Sequence, residues 1–350
     1  MKLWVSISFM AEKPIIICTR GSALALAQSN MIAAMCRAAF PGLRFELKII
    51  KTTGDKLQKA SMAKKGDKAE SLPKGLFTKE LEVALVKEQA DIAVHSLKDL
   101  PTDLPAGLVL AATPKREDVR DVLIYRDAGF LKRRTDAGVV EWTPGKAELR
   151  GFAPHIKLKD LPKGATIATS STRRKMSLLA VRPDLKIVEI RGNVATRMQK
   201  VAERVELDAT ILALAGMKRL NFSINADGTI SGDAVPEGML ATVLELDEIL
   251  PCVGQGAIGI EIRADDERIV KICERLNHLD TFHAVTAERA FLKGMGGGCQ
   301  SPVGAYAQIE GDKISLKAIS FRDEMVKRME AKRVIAEAAA LGAMIAGELK

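Results

Sequence analysis

Short apolar runs alternate along the chain with longer stretches whose apolar residues recur at helical spacing. Residues 14–19 have the apolar, largely β-branched composition of a buried strand, and residues 45–51 and 91–95 are also predicted to be strands. Residues 21–37 and 78–88, which lie between these runs, have helical periodicity. Strands that alternate with helices in this way usually pair in parallel. The pattern therefore predicts an α/β lobe around a parallel-rich sheet.

Three motifs of this lobe recur in the same order further along the chain. The matching pairs are 14–22 with 165–171, 41–55 with 183–193, and 91–100 with 208–220. Any two α/β segments share some features, but three motifs in one order favour a duplication. We therefore expect two lobes with one strand order.

A different pattern begins near residue 277. We expect a helix over 281–293, a glycine-rich loop over 294–298, strands within 303–319 and an alanine-rich helix over 335–349. The predicted fold class is α/β, with two similar doubly wound lobes and a small α+β C-terminal domain.

Residues 127–159 fit neither lobe, and we expect them to form an insertion on the surface of the second, with the basic triplet 132–134 solvated. The predicted boundaries are an N-terminal extension at 1–13, domain 1 at 14–115 and 255–274, domain 2 at 119–252, and domain 3 at 277–350. The first 13 residues have too short an apolar run for a signal peptide and no small-residue cleavage site.

Composition narrows the class of protein. The chain has 350 residues, of which 47% are hydrophobic and 28% charged, and this excludes collagen, a disordered tail and a disulfide-dense scaffold. The uncharged stretch 21–36, which no other exceeds in length, is too short and too polar for a membrane span. Five widely spaced cysteines without a CxxC pair predict a reducing, cytoplasmic setting, and the absence of HxxxH predicts no metal site.

The net charge points to an anionic partner. Lysine and arginine number 53 against 44 acidic residues, a formal charge of +9. Such an excess suits nucleic acid, an anionic membrane surface or an anionic small substrate, or serves solubility alone. Nucleic acid is disfavoured, because no run of five basic residues occurs and aromatic residues make up only 4%.

Three groups of residues carry candidate chemistry. The first is Lys98 and Asp99, which follow the end of a predicted strand, where α/β sheets bind ligands. An acid beside a base can transfer a proton or stabilise a cation. The alternative is a surface pair before a proline turn.

The second group is a set of arginines near predicted helix starts, with serine and threonine beside them. They are Arg20, Arg173, Arg174, Arg191 and Arg197, with Ser22, Thr169, Ser170 and Ser171. Helix N-termini and guanidinium groups both bind carboxylates, and phosphate would suit them as well. GQGAIG at 254–259 matches GxGxxG, but GxxxxGK[ST] is absent, so a nucleotide is disfavoured. The alternative is a set of arginines that cap or bridge on the surface.

The third group is Cys299 within the glycine-rich segment 294–302. An accessible thiol there can form a covalent bond, whereas the alternative is a flexible turn with an incidental cysteine. Together the three groups predict a small ligand with several carboxylates, and they leave open whether it is held covalently.

Eight segments, in order, match those of a known family. They are TRGSALALAQ (19–28), KGLFTKELE (74–82), DIAVHSLKDLP (91–101), ATSSTRRK (168–175), IRGNVATR (190–197), LAGMKRL (214–220), VGQGAIGIE (253–261) and GGGCQSPVGAY (296–306). In these segments the sequence resembles the porphobilinogen deaminases (hydroxymethylbilane synthases) of porphyrin and haem biosynthesis. The resemblance covers most of the chain from residue 14 to about residue 319.

The resemblance implies lobes like those of type II periplasmic binding proteins, and a transferase that acts as a monomer in the cytoplasm. It implies a dipyrromethane cofactor attached by a thioether to Cys299. Four porphobilinogen molecules are then condensed head to tail with loss of ammonia, and hydroxymethylbilane is released by hydrolysis. No nucleic acid or membrane partner is implied.

The same resemblance assigns roles to individual residues. Asp99 is the implied catalytic carboxylate, which stabilises the electron-poor species left when ammonia departs. The implied cofactor-binding residues are Ser96, Lys98, Thr169, Ser171, Arg173 and Arg174. The implied substrate-binding residues are Arg20, Ser22, Gln28, Arg191, Arg197 and Arg219, with Lys74, Phe77 and Gln255 near the site. For Arg191 we expect a buried charge pair, whose loss costs about 3–5 kcal/mol.

The sequence departs from the family's pattern in two segments, and two other functions remain as alternatives to a deaminase. Residues 68–74 lack the glycines of the family's lid-like loop, and residues 127–159 lie outside its common core. A non-catalytic binding or effector-sensing protein would explain the lobes and the arginines, but not Cys299 or Asp99. A thiol-dependent acyl transferase would need a histidine base near Cys299.

Overall fold

The computed structural model describes residues 13–54, 78–137, 148–298, 301–322 and 325–350. The chain divides into two compact units. The first comprises Met1–His95, Leu104–Ala112 and Gly259–Asn277, and the second comprises Ser96–Asp103, Thr113–Ile258 and His278–Lys350. The division into three domains stays a prediction, because the second unit contains both the second lobe and the C-terminal region.

Strands and helices are numbered along the chain. The strands are β1 (Ile15–Arg20), β2 (Phe45–Ile50), β3 (Ile92–Ser96), β4 (Leu108–Ala112), β5 (Asp121–Arg126), β6 (Thr166–Ala168), β7 (Lys186–Val188), β8 (Ala209–Ala213), β9 (Ser223–Ile224), β10 (Ile230–Ser231), β11 (Met239–Val243), β12 (Ile258–Arg263), β13 (Val303–Glu310), β14 (Lys313–Ser320) and β15 (Lys327–Val334). The helices are α1 (Ala23–Ala39), α2 (Lys79–Val86), α3 (Ala128–Asp136), α4 (Thr172–Val181), α5 (Val194–Glu203), α6 (Leu214–Arg219), α7 (Glu267–Leu276), α8 (Leu279–Gly294) and α9 (Ala338–Leu349). Three-residue 3₁₀ turns occur at Leu97–Asp99, Leu158–Asp160 and Ile335–Glu337.

The first unit is built on a five-stranded sheet of order β2-β1-β3-β12-β4. Strand β1 pairs in parallel with β2 and β3, and β12 pairs antiparallel with β4. Ile15, Ile17 and Ile92 are fully buried, as are Leu81 and Leu85 of α2. The strands and helices predicted for this lobe are all present, because their apolar periodicity corresponds to the buried positions.

The second sheet has the order β7-β6-β8-β5-β11. Its first three strands are parallel, and β5 runs antiparallel to both β8 and β11. The two sheets therefore share one order, and the predicted α/β class with two similar lobes is confirmed. In each sheet the fourth strand is distant in the chain from the three parallel strands. Strand β12 comes after the strands of the second sheet, and β5 comes before β6, β7 and β8.

The expected surface insertion at 127–159 is only partly a surface feature. Helix α3 has no buried residue and leaves the basic triplet 132–134 exposed, as predicted. Phe152 and Leu158, however, belong to the hydrophobic core of the second lobe. Arg150 also forms an ion pair with the buried Asp208. The prediction was wrong at these positions, because single apolar residues in a Pro/Gly-rich stretch have no periodicity.

The C-terminal region is a three-stranded antiparallel sheet, β13-β14-β15, with α8 and α9 packed on it. This agrees with the predicted small α+β fold. Strand β15 was not predicted, because its sequence KRMEAKRV is mostly polar and its residues alternate between half-buried and exposed. None of the helices in the described ranges combines the length and the apolar composition that crossing a bilayer requires.

Candidate active site

A cavity of about 240 Å³ in the second unit is lined by eight of the candidate residues. It is lined by Lys98, Asp99, Ser170, Ser171, Arg173, Arg174, Arg197, Cys252, Val253, Gln255, Leu292, Gly298, Ser301 and Val303. Lysine and arginine outnumber acidic residues in this lining by four to one. The cavity therefore suits an anionic ligand.

Asp99 reaches this cavity from the 3₁₀ turn Leu97–Asp99, which directly follows β3. The Leu97 side chain is buried, and its backbone nitrogen donates to the carbonyl of Ala257 at 3.1 Å. Lys98 and Asp99 remain partly exposed. The buried leucine anchors the turn, so the acid and base that follow it face the cavity.

Gly254 packs against the same turn. Its φ is +70°, a conformation that favours glycine, and a Cβ atom there would lie 3.1 Å from Cγ of Leu97 and 3.2 Å from the nitrogen of Lys98. This close approach explains a glycine in the VGQG segment.

Glu288 holds this glycine turn in place. Its buried carboxylate accepts from the backbone nitrogens of Gly254 at 2.8 Å and Ala307 at 2.9 Å. Arg116 binds the same carboxylate through two nitrogens, at 2.6 and 2.9 Å, and donates to the carbonyl of Gln255. Sequence reasoning missed Arg116 and Glu288, because no local pattern marks either residue.

Arg173 and Arg174 converge on one buried carboxylate, Asp121. Arg174 donates to its two oxygens at 2.7 and 3.2 Å, and Arg173 donates at 2.9 Å. Burial alone would raise the pKa of Asp121, but the charges and hydrogen bonds of the two guanidinium groups outweigh it and lower that pKa. Two cations share one anion, so this wall of the cavity keeps a net positive charge.

Gln255 extends the same network. Its side-chain nitrogen donates to Asp121 at 2.8 Å and to the carbonyl of Val119, and its oxygen accepts from the thiol of Cys252 at 3.4 Å. Sequence reasoning did not identify Asp121 or Cys252. Asp121 was hidden within an apolar strand, where a lone acid has no distinguishing pattern.

Arg197 forms no ion pair with any carboxylate of the described residues. Its Nε donates to the carbonyl of Gly192, and burial together with the charge of Arg174 lowers its pKa to about 10. The group stays protonated at neutral pH, although no described carboxylate compensates it. An anionic ligand would supply the missing charge.

The serines beside these arginines organise the start of α4. Ser171 is its N-cap and accepts from the backbone nitrogen of Arg174, while Thr169 accepts from that of Ser171 at 3.2 Å. Ser170 donates to the carbonyl of Ile190 at 2.7 Å. Ser170 and Ser171 line the cavity. Thr169, which precedes them in the chain, is buried and is not one of the lining residues.

Cys299 lies outside the described residues, as do Lys74 and Phe77. Its nearest described neighbours in the chain, Gly298 and Ser301, both line the cavity. The cavity thus has the candidate acid on one wall and residues that flank the candidate thiol on another.

Comparison with known proteins decides the family. Residues 15–271 match the model described as "Porphobilinogen deaminase, dipyromethane cofactor binding domain", and residues 282–350 match "Porphobilinogen deaminase, C-terminal domain". The chain belongs to the porphobilinogen deaminase family. It is therefore a transferase of tetrapyrrole biosynthesis that acts on porphobilinogen and uses a dipyrromethane cofactor.

Similar porphobilinogen deaminases come from several bacteria. That of Syntrophomonas wolfei is 42% identical over 86% of this chain and 83% of its own length. That of Carboxydothermus hydrogenoformans is 40% identical over 97% of this chain and 94% of its own length. The effector-binding domain of BenM with benzoate aligns over 76% of this chain and 91% of its own, but at 17% identity and a TM-score of 0.39 the likeness supports no conclusion.

The cavity fits the cofactor after which the deaminase domain is named. A dipyrromethane built from two porphobilinogen units carries several carboxylates, and Lys98, Arg173, Arg174 and Arg197 face the cavity. Family membership also sets aside the effector-sensing protein and the acyl transferase as alternatives. No cluster of three or more His, Cys, Asp or Glu side chains suited to a metal ion occurs among the described residues.

Some residues assigned by the resemblance are not among those that line the cavity. Ser22 caps α1, Arg20 ends β1, and Gln28 is buried in α1, all in the first unit. In the second unit, Ser96 is the last residue of β3, and Arg219 donates to the carbonyl of Gly256 at 2.6 Å.

Arg191 does not have the surroundings that we expected. Its side chain is 48% exposed, and its ion pair with Glu189 is 3.8 Å long. The energy of a buried charge pair therefore does not apply to its replacement. The sequence could not show this, because exposure depends on how the loop before α5 folds.

Proposed function

We propose that Asp99 is the catalytic carboxylate of this deaminase and that Cys299 attaches its dipyrromethane. One observation carries the proposal: Asp99 lines the same cavity as Gly298 and Ser301, which flank Cys299 in the chain. Both residues also lie in segments that match the family, SLKDLP and GGGCQSP.

Asp99 would act on the pyrrole nitrogens. A carboxylate there accepts their hydrogen bonds and stabilises the positive charge that develops as ammonia leaves the substrate. Lys98, the adjacent cation, would hold a carboxylate of the ligand. The bound dipyrromethane supplies the pyrrole carbon at which the product chain grows.

The arginines would divide the binding of acetate and propionate groups. Arg173 and Arg174 are oriented by Asp121 and so present their guanidinium groups in a fixed geometry. The pKa of Arg197 is lowered by burial and by Arg174, and no described carboxylate counteracts this. The lack of such a partner favours direct binding of a ligand carboxylate. Ser171, at the N-terminus of α4, adds a hydroxyl and the positive end of the helix.

The remaining assignments rest on the resemblance. We propose substrate binding by Arg20, Ser22, Gln28 and Arg191, and cofactor contacts from Ser96 and Thr169. For Gln255 and Arg219 the observed hydrogen bonds favour a supporting role, because Gln255 donates to Asp121 and to the carbonyl of Val119, and Arg219 donates to the carbonyl of Gly256. Lys74 and Phe77 keep their implied place near the site.

The finer course of the reaction is likewise a proposal. Four porphobilinogens add in turn, hydrolysis releases hydroxymethylbilane, and the cofactor stays attached. We also propose that the protein is cytoplasmic and that it is a monomer. Size-exclusion chromatography with light scattering would test the oligomeric state through the molar mass.

The deciding experiment is the intact mass of the freshly purified protein. We expect the chain mass plus two pyrrole units, and a ladder of further single-unit additions under limiting porphobilinogen. A bare chain mass in protein that still makes the linear tetrapyrrole would refute the covalent attachment.

A further inference from the structure

The pentapeptide LKDLP occurs twice, at 97–101 and at 158–162. Both copies form a 3₁₀ turn, Leu97–Asp99 and Leu158–Asp160, on a buried first leucine. Asp99 lines the cavity, whereas Asp160 is exposed. The sequence of the turn therefore fixes its local shape but does not decide where the aspartate is presented.

Each copy is bound by one arginine through backbone carbonyls. Arg182 donates to the carbonyls of Leu158, Lys159 and Leu161 at 2.9–3.1 Å. Arg289 donates to the carbonyls of Leu100 at 3.1 Å, Pro101 at 2.6 Å and Thr102 at 3.4 Å. A planar guanidinium fork fixes the relative positions of several acceptors at once, which a lysine cannot do.

Arg289 makes these bonds from the helix that leads to the candidate thiol loop. It follows Glu288 on α8, and Glu288 fixes the glycine turn on the other side of Leu97 and Lys98. After α8 ends, the nitrogen of Gly297 donates back to the carbonyl of Leu292. A Cβ atom on Gly297 would lie 3.1 Å from the hydroxyl of Thr102. One helix thus supports both the Asp99 segment and the loop.

We propose that Arg289 is a positioning residue for the deaminase reaction. By binding the three carbonyls that follow Asp99, it holds the carboxylate at a fixed place in the cavity, relative to the loop that continues from the same helix. This inference rests on the proposed catalytic role of Asp99. It needs no contact between Arg289 and the substrate.

The test compares Arg289→Met with Arg182→Met, its counterpart at the second LKDLP turn. Both variants remove a guanidinium group that binds backbone carbonyls, and Arg182→Met also removes an ion pair with Asp184, so both should lower the melting temperature. We expect only Arg289→Met to lose kcat, by about tenfold to a hundredfold, with KM within about twofold and the mass of two pyrrole units retained. Arg289→Lys, which can still reach one carbonyl, should have a kcat between those of the wild type and Arg289→Met. If Arg289→Met does not fold, the kcat of Arg289→Lys tests the positioning role instead.

Three results would overturn the inference. The first is an equal kcat for Arg289→Met and Arg182→Met, and the second is a kcat loss fully explained by missing cofactor mass. The third is a raised KM at unchanged kcat, which would indicate a substrate contact instead. Asp99→Asn in the same assay distinguishes a failure of the proposed function from a failure of the role proposed for Arg289. An active Asp99→Asn refutes the proposed function, whereas an inactive Asp99→Asn beside a fully active Arg289→Met refutes only the role of Arg289.

Discussion

The carboxylate of Glu288 accepts the backbone N–H of Gly254 at 2.8 Å, and this bond fixes the turn on which the Asp99 segment rests. The two residues are 34 positions apart in the chain. The position of the proposed catalytic carboxylate therefore depends on a buried ion pair and a glycine that are not among the residues lining the cavity.

Replacing Gly254 by alanine should displace the Asp99 turn. The new methyl group would meet Leu97 and the nitrogen of Lys98, and kcat should fall. Gly311→Ala is the matched control: its φ of +66° imposes the same backbone strain of about 1–2 kcal/mol, but nothing lies within 4 Å of the added Cβ. Both variants should unfold at lower denaturant concentration, and steady-state kinetics should separate them. Equal kcat values would contradict the packing argument.

Asp99→Ala should abolish turnover while the fold stays intact. The carboxylate that stabilises the developing positive charge is lost, so we expect a decrease of at least about a hundredfold. Asp160→Ala removes the same residue from the second LKDLP turn, where it is exposed, and should retain wild-type kcat. Circular dichroism checks both folds. Near-normal activity of Asp99→Ala would remove Asp99 from the mechanism.

Cys299→Ser should yield a protein without covalent cofactor. Its intact mass should equal that of the bare chain, because a serine hydroxyl cannot form the thioether. Cys252→Ser is the control, since Cys252 also lines the cavity and its bond to Gln255 can be made by a hydroxyl. That variant should keep the mass of two pyrrole units. The reverse pattern would move the attachment site to Cys252.

Asp121 should make the stability of the second lobe sensitive to acid. Burial opposes ionisation of Asp121, but Arg173 and Arg174 outweigh it, so its pKa in the folded protein lies below that of the unfolded chain. The unfolded state then binds more protons in acid, and the stabilisation present above about pH 4 is lost progressively as the pH falls.

Asp121→Asn should remove this dependence. At pH 7 we expect the free energy of unfolding to fall by about 3–5 kcal/mol, because two buried guanidinium groups lose their anion. Below pH 4 the difference from the wild type should shrink. Urea unfolding at a series of pH values measures both effects, and parallel curves for the two proteins would show that Asp121 is not the group that titrates.

The sequence predicted β1, α1, β2, α2 and β3 of the first lobe, and three recurring segments of the second, because buried positions recur with the period of each element. It made no prediction for β4, β5, β11 or β12. The sequence placed Lys98, Asp99, Arg173, Arg174 and Arg197 in one site, and all five line the cavity. It could not predict that Arg173 and Arg174 share Asp121, since the partner of a buried charge is set by tertiary packing across about 50 residues.

Strand β15 and the core positions Phe152 and Leu158 escaped prediction for a different reason. Strand β15 alternates half-buried residues with exposed ones, it includes charged residues at both kinds of position, and it is an edge strand of its sheet, so burial gives it little apolar signature. Phe152 and Leu158 are isolated apolar residues whose burial depends on contacts far along the chain.

The late position of β12 in the chain has a consequence for synthesis on the ribosome. Strand β11 completes the second sheet at Val243, but the first sheet must await β12, which ends at Arg263. Within the described strands, β4 joins its sheet only through β12. The half translated first is therefore finished last, and a nascent chain of about 250 residues carries an incomplete sheet with open strand edges, a state that invites aggregation and chaperone binding.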